Sequence, residues 1–142
     1  MTGRRIVIAA WVCTCLFAGT VLAALADSVA NTIAIATSIV LFFVGSGVAL
    51  VAFGIGIVRS ARGDDVAVSN LFFLSGSAPT PVKRQFLAVL LVSIAVVALS
   101  ILNRTVAPWT WLALMVPIGF PGLWAARHGT FPARVIAPKP RR

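Results

Sequence analysis

The sequence predicts an all-α integral membrane protein: four transmembrane helices in a small helical bundle, with both termini cytoplasmic. Three observations carry this expectation. Of 142 residues, 60% are hydrophobic and 11% charged, and the mean hydropathy is +1.03, far too apolar for a soluble domain of this length. The apolar residues fall into four runs, each near the ~20 residues that cross a bilayer. The basic residues segregate to one side of the resulting thread.

The runs extend from Ile6 to Ala26, Ile33 to Val58, Phe86 to Leu102 and about Val106 to Trp124. The third is short for a hydrocarbon core of roughly 30 Å, and the fourth is interrupted by Pro117 and Pro121. Residues 1–126 form the predicted four-helix domain, 59–85 its cytoplasmic loop, and 127–142 a short basic tail. No internal repeat relates the segments.

Threading these spans alternately places Arg4, Arg5, Arg59, Arg62, Lys83, Arg84, Arg127, Arg134, Lys139, Arg141 and Arg142 on one side, and only Arg104 on the other. The positive-inside rule makes the crowded side cytoplasmic in a multi-pass protein of the cell membrane. The same placement accounts for the formal charge of +9, so no nucleic-acid partner is expected.

The first span has a competing reading. Arg4 and Arg5, an apolar stretch, and Ala24-Leu25-Ala26 imitate a secretory signal peptide with its cleavage site. The stretch exceeds the usual h-region of about 7–15 residues, which favours a retained helix. Cleavage would leave three spans and the same cytoplasmic C-terminus. Cys13 and Cys15 point about 200° apart on a helix, so they read as small packing residues rather than a metal pair or disulfide.

In the second span, Ser38, Gly45, Ala49, Ala52 and Gly56 recur at spacings of 7, 4, 3 and 4 and share one helical face. Small residues allow close backbone approach, so this face predicts a helix–helix seam. The pattern leaves its partner open: the first span, with Gly19 and Ala23, or another protein. In the fourth span, Pro117 and Pro121 share a side and predict kinks, leaving the carbonyls of Ala113 and Pro117 without their usual donors. Trp109, Trp111 and Trp124 read as interfacial anchors.

Absences bear on function. The three acids are Asp27, Asp64 and Asp65, and none falls inside a span, which argues against a proton-coupled exporter. One histidine and no suitably spaced cysteines make no familiar hydrolytic or metal centre, so neither an enzyme nor a cofactor is expected.

Two basic elements remain. In the loop, LFFL at Leu71 to Leu74 is too short to span and too apolar to float free, and it predicts an interfacial segment. The following SGSAPTP turn, flanked by Arg59, Arg62, Lys83 and Arg84, can present backbone N–H groups and charge to a lipid phosphate, or can simply precede the third helix. At the C-terminal end, ARHGTFPAR reads first as helix termination. Arg127 and His128 meet the last carbonyls, Gly129 takes a left-handed position, Pro132 follows, and Phe131 folds onto the bilayer. The same Arg127 and His128 are also candidates for head-group contact.

SGSAPTPVKRQ and ARHGTFPAR resemble segments of small, uncharacterised integral membrane proteins of actinobacteria, which pair a GSAP-type turn with an ARHGTFP-type ending. The resemblance covers Leu71 to Arg134 and implies a membrane setting and a helical architecture, with no catalytic residues. Two functions are therefore expected in turn. The first is a non-enzymatic accessory subunit or scaffold of a larger envelope or respiratory assembly, meeting another membrane protein or itself. The second is a lipid-handling helper that holds an anionic, phosphate-bearing lipid at Arg59, Arg62, Lys83, Arg84, Arg127 and His128.

Overall fold

The structure, a computed structural model, describes residues 3–26, 28–103 and 108–133. Asp27, Arg104, the first residues of the expected fourth span and the tail from Arg134 onward lie outside them. The chain runs through α1 (Arg4–Ala24), α2 (Ser28–Ala61), a single-turn α3 (Val68–Phe72), α4 (Thr80–Leu102), a 3-10 helix over Pro108–Leu114, and α5 (Met115–His128). Four helical segments are long and apolar enough to cross a membrane, the fourth combining most of the 3-10 helix with α5. The protein is a multi-pass helical bundle.

Its surface agrees with that setting. Val12, Phe43, Leu50 and Leu91 project from α1, α2 and α4 with more than half of their area exposed, a continuous apolar exterior that lipid would cover. α2 has 34 residues, about 51 Å at 1.5 Å per residue, so it outruns a core of roughly 30 Å and carries Arg59 beyond it.

α5 is the central helix. Val116 to Gly122, apart from Ile118, and Trp124 to Ala126 are buried, and the helix packs mainly against α2, with further contacts to α3 and α1. Its small residues explain why neighbours come so close. A Cβ added at Gly45 would lie 2.5 Å from the Met115 carbonyl carbon, and one at Gly119 would collide with the carbonyl oxygen of Gly45. Gly122 sits under the Phe72 ring and beside Ala52 Cβ. The predicted seam is thus present, with Ser38, Gly45, Ala52 and Gly56 buried and Ala49 half-buried. Its partners are α5 and, at Gly56, Leu71 of α3. Gly19 of α1 is exposed and faces open space.

The fourth span departs from the continuous kinked helix expected from its prolines. The break falls at the junction of the 3-10 helix and α5, so Pro117 lies in the first turn of α5, where its missing N–H removes no α-helical bond. Pro121 alone is interior to the helix. Trp109 and Trp111 are each 56% exposed, in keeping with an interfacial role, whereas Trp124 is 6% exposed and packs against the backbone of Gly3. The 3-10 segment is tied to α4 by a buried hydrogen bond between Ser100 Oγ and Thr110 Oγ1, 2.9 Å long.

Candidate functional site

All the charged side chains among the described residues gather at one end of the bundle. The starts of α1 and α4 and the ends of α2 and α5 meet there, joined by the loop of residues 62–79. Arg4, Arg5, Arg59, Arg62, Lys83, Arg84 and Arg127 stand against Asp64 and Asp65 alone.

The end is organised around Arg59. α2 terminates in a Schellman motif: Gly63 adopts φ +102°, Asp64 N–H donates to the Arg59 carbonyl at 3.2 Å and Gly63 N–H to Ser60 at 3.2 Å. That reversal returns the Asp64 carboxylate to the Arg59 side chain, and Nε donates to Oδ2 at 2.7 Å. Nη1 then crosses to α5 and donates to the carbonyls of Ala126 at 3.2 Å and Gly129 at 3.0 Å. The guanidinium lies 4.6 Å from the Phe131 ring centroid. Arg59 is therefore a structural lock: Nε and Nη1, two of the three nitrogens with which the sequence reading would have it meet a head group, are directed to protein acceptors, and three-quarters of its side chain is covered.

Around this lock, the two sequence segments that looked independent are joined. Thr130 N–H donates to the Ser77 carbonyl at 3.1 Å, Asp65 N–H donates to Pro132 at 2.8 Å, and Asp64 and Ala133 form an isolated antiparallel bridge. Ser77 is buried and its hydroxyl donates to the Asn70 carbonyl, while Ser75 N–H donates to Ser69. These groups of the SGSAPTP turn brace the cap instead of facing an anion.

The ARHGTFPAR segment also differs from its expected ending. Gly129 has φ −69° and ψ 147°, an extended conformation. Glycine is needed there because a Cβ would come 2.6 Å from the Ala125 carbonyl oxygen, the same oxygen that accepts from Gly129 N–H at 2.8 Å. Phe131 is half-buried beneath Arg59 rather than spread over the bilayer. LFFL is likewise divided: Leu71 and Leu74 are buried, Phe72 covers Gly122, and only Phe73, 70% exposed, projects outward.

No known protein family, curated protein or solved structure matches this chain.

The other candidates lie at the surface. Arg62, Lys83, Arg84, Arg127 and His128 are exposed, with the imidazole of His128 5.8 Å from the Trp124 ring. Arg62 follows α2 directly, Lys83 and Arg84 are the fourth and fifth residues of α4, and Arg127 lies in the last turn of α5, so all four belong to the capped end. Among the described residues no three metal-ligating side chains come together. Two participants escaped the sequence reading. Trp11 Nε1 donates to Gln85 Oε1 at 2.9 Å, pinning α1 to α4, and this long-range pair had no local signal. Gly63, the residue that returns Asp64 to Arg59, did carry one: a glycine just past the last apolar residues of a helix.

Proposed function

We propose that this protein is a non-enzymatic lipid-handling helper of the cell membrane, holding phosphate-bearing lipid head groups at its basic, cytoplasmic end. One observation carries the reading. Among the described residues the charged side chains are confined to one end, where Arg59 is paired with Asp64 while Arg62, Lys83, Arg84 and Arg127 are exposed around a hydrogen-bonded cap. A fixed cationic ring at head-group depth attracts anionic lipid at ~1 kcal/mol per basic residue. The arginine-rich ends and the positive-inside bias support a cytoplasmic location for this face, and the actinobacterial resemblance supports a plasma-membrane setting.

The test is lipid selectivity at the protein surface. Reconstituted protein is probed by electron paramagnetic resonance with spin-labelled phosphatidylglycerol and phosphatidylcholine. The expected result is a severalfold preference for the anionic lipid that salt weakens and that replacing Arg62, Lys83, Arg84 and Arg127 with alanine removes. Equal association of the two lipids with the unaltered protein would refute the reading.

A second reading, an accessory subunit or scaffold of an envelope or respiratory assembly, draws on a different face. The small-residue seam is filled by α5, but Gly47 and Gly54 of α2 are exposed and face open space, leaving room for a helix of another membrane protein or a second copy. Co-purification of a stoichiometric partner, lost in a Gly47→Leu, Gly54→Leu variant, would support it; recovery of the bare chain would remove it.

A further inference from the structure

We propose that the groove between α4 and α5 holds one acyl chain of an anionic glycerophospholipid, whose phosphate pairs with Lys83. This deepens the basic-end reading and rests on it.

The groove has a volume of about 240 Å³. Lys83, Leu87 and Leu90 of α4 form one wall, and Pro117, Ile118 and Pro121 of α5 the other. It stays open because α4 packs chiefly on α1 and the 3-10 helix and touches α5 little. The two prolines that line it lie about one helical turn apart. α3 and the residues after it roof the basic end. Leu74 sits there with φ +56°, a left-handed conformation that a leucine rarely adopts, and with its side chain buried at the groove.

Three features select the occupant. Apart from Lys83 every lining residue is apolar, so the ligand is amphiphilic with one anionic group. That lysine, the fourth residue of α4, is exposed near the basic end and supplies the single positive charge that a phosphate would pair with. From Lys83 to Leu90 the wall descends about 10 Å, a third of the roughly 30 Å a spanning helix needs. The groove therefore suits a chain hanging from the head-group level better than a partner helix. The bilayer itself supplies that chain at high local concentration.

The experiment uses the full chain in nanodiscs of mixed phosphatidylglycerol and phosphatidylcholine, with retained lipid counted by native mass spectrometry. Four variants are compared with the unaltered protein: Lys83→Ala, Leu87→Trp and Ile118→Trp from the two groove walls, and Ile94→Trp, an equally bulky change on the exposed surface of α4. Leu87 and Ile118 are both about half exposed, so either can take the larger ring if the other variant misfolds; circular dichroism checks each.

The expected result is one tightly retained phosphatidylglycerol. Lys83→Ala lowers its retention about fivefold, both groove-filling variants abolish it, and Ile94→Trp leaves it unchanged. Retention lost in Lys83→Ala but intact in both groove-filling variants would overturn the chain site while leaving head-group binding at the basic end. Retention lost on filling the groove but indifferent to Lys83, or to the lipid charge, would overturn the phosphate pairing. Failure of the unaltered protein to prefer phosphatidylglycerol at all would remove this proposal and the reading beneath it.

Discussion

Gly45 of α2 and Gly119 of α5 stand backbone to backbone, so close that a side chain on either would drive into the main chain of the other helix. Replacing either with alanine forces α5 away from α2. Gly119→Ala should destabilise the bundle by ~1–3 kcal/mol. Gly47→Ala, whose new methyl meets nothing, should be neutral or stabilising by up to ~1 kcal/mol through helix propensity. Unfolding in detergent, followed by circular dichroism, measures both, and equal stability of the two variants would contradict the packing.

The lock at Arg59 has a local signature. Arg59→Lys keeps a charge but cannot reach Asp64 and two carbonyls at once from a single ammonium. Hydrogen exchange should accelerate at the Asp65 and Thr130 amides, which bridge the loop and the C-terminal segment, while amides in the middle of α2 and α5 remain protected. Because the ion pair is partly exposed, the change in global stability should stay small, on the order of 1 kcal/mol.

The hydrogen bond between Ser100 and Thr110 joins α4 to the 3-10 helix inside the bundle. A double-mutant cycle of Ser100→Ala and Thr110→Val should give a coupling near ~0.6 kcal/mol, the average for such pairs in membranes. Ser100 retains a second acceptor at the Val97 carbonyl, 2.7 Å away, which limits the loss in either single variant. A coupling of zero would show that the two hydroxyls do not meet.

Orientation is testable independently of lipid. In intact cells, a membrane-impermeant thiol reagent should leave Ser75→Cys, in the loop at the basic end, unlabelled and should modify Trp109→Cys at the opposite end. Labelling with the reverse pattern would invert the proposed topology.

Hydropathy alone made the four crossings legible, because twenty apolar residues in a row have few other uses. The small-residue face of α2 was equally legible, since its spacing follows the helical period. Its partner was not: Gly119 and Gly122 looked like breakers beside two prolines, and only the three-dimensional approach shows them as contact points. The basic residues misled in a specific way. Topogenic selection and hydrogen bonding both favour arginine at a helix end, so Arg59 could not be separated by sequence from its exposed neighbours Arg62 and Arg84. What distinguishes it is a set of acceptors at Ala126 and Gly129, far away in the chain. Trp124 was hidden for a similar reason: an aromatic near a span end suits the interface, and its close approach to Gly3 has no local pattern.

The reach of Arg59 across 67 and 70 residues also imposes an order on biosynthesis. α2 leaves the ribosome with its glycine face and its terminal arginine complete, long before the helix that will cover them has been made. Until α5 is in place, that face lacks its main partner and the guanidinium lacks its two carbonyl acceptors, leaving the nearby aspartate. The cap cannot close before α5 has been made, because the acceptors that complete it are close in space and distant in sequence. A chain lacking α5 would leave the Gly45 and Ala52 surface without the helix that covers it.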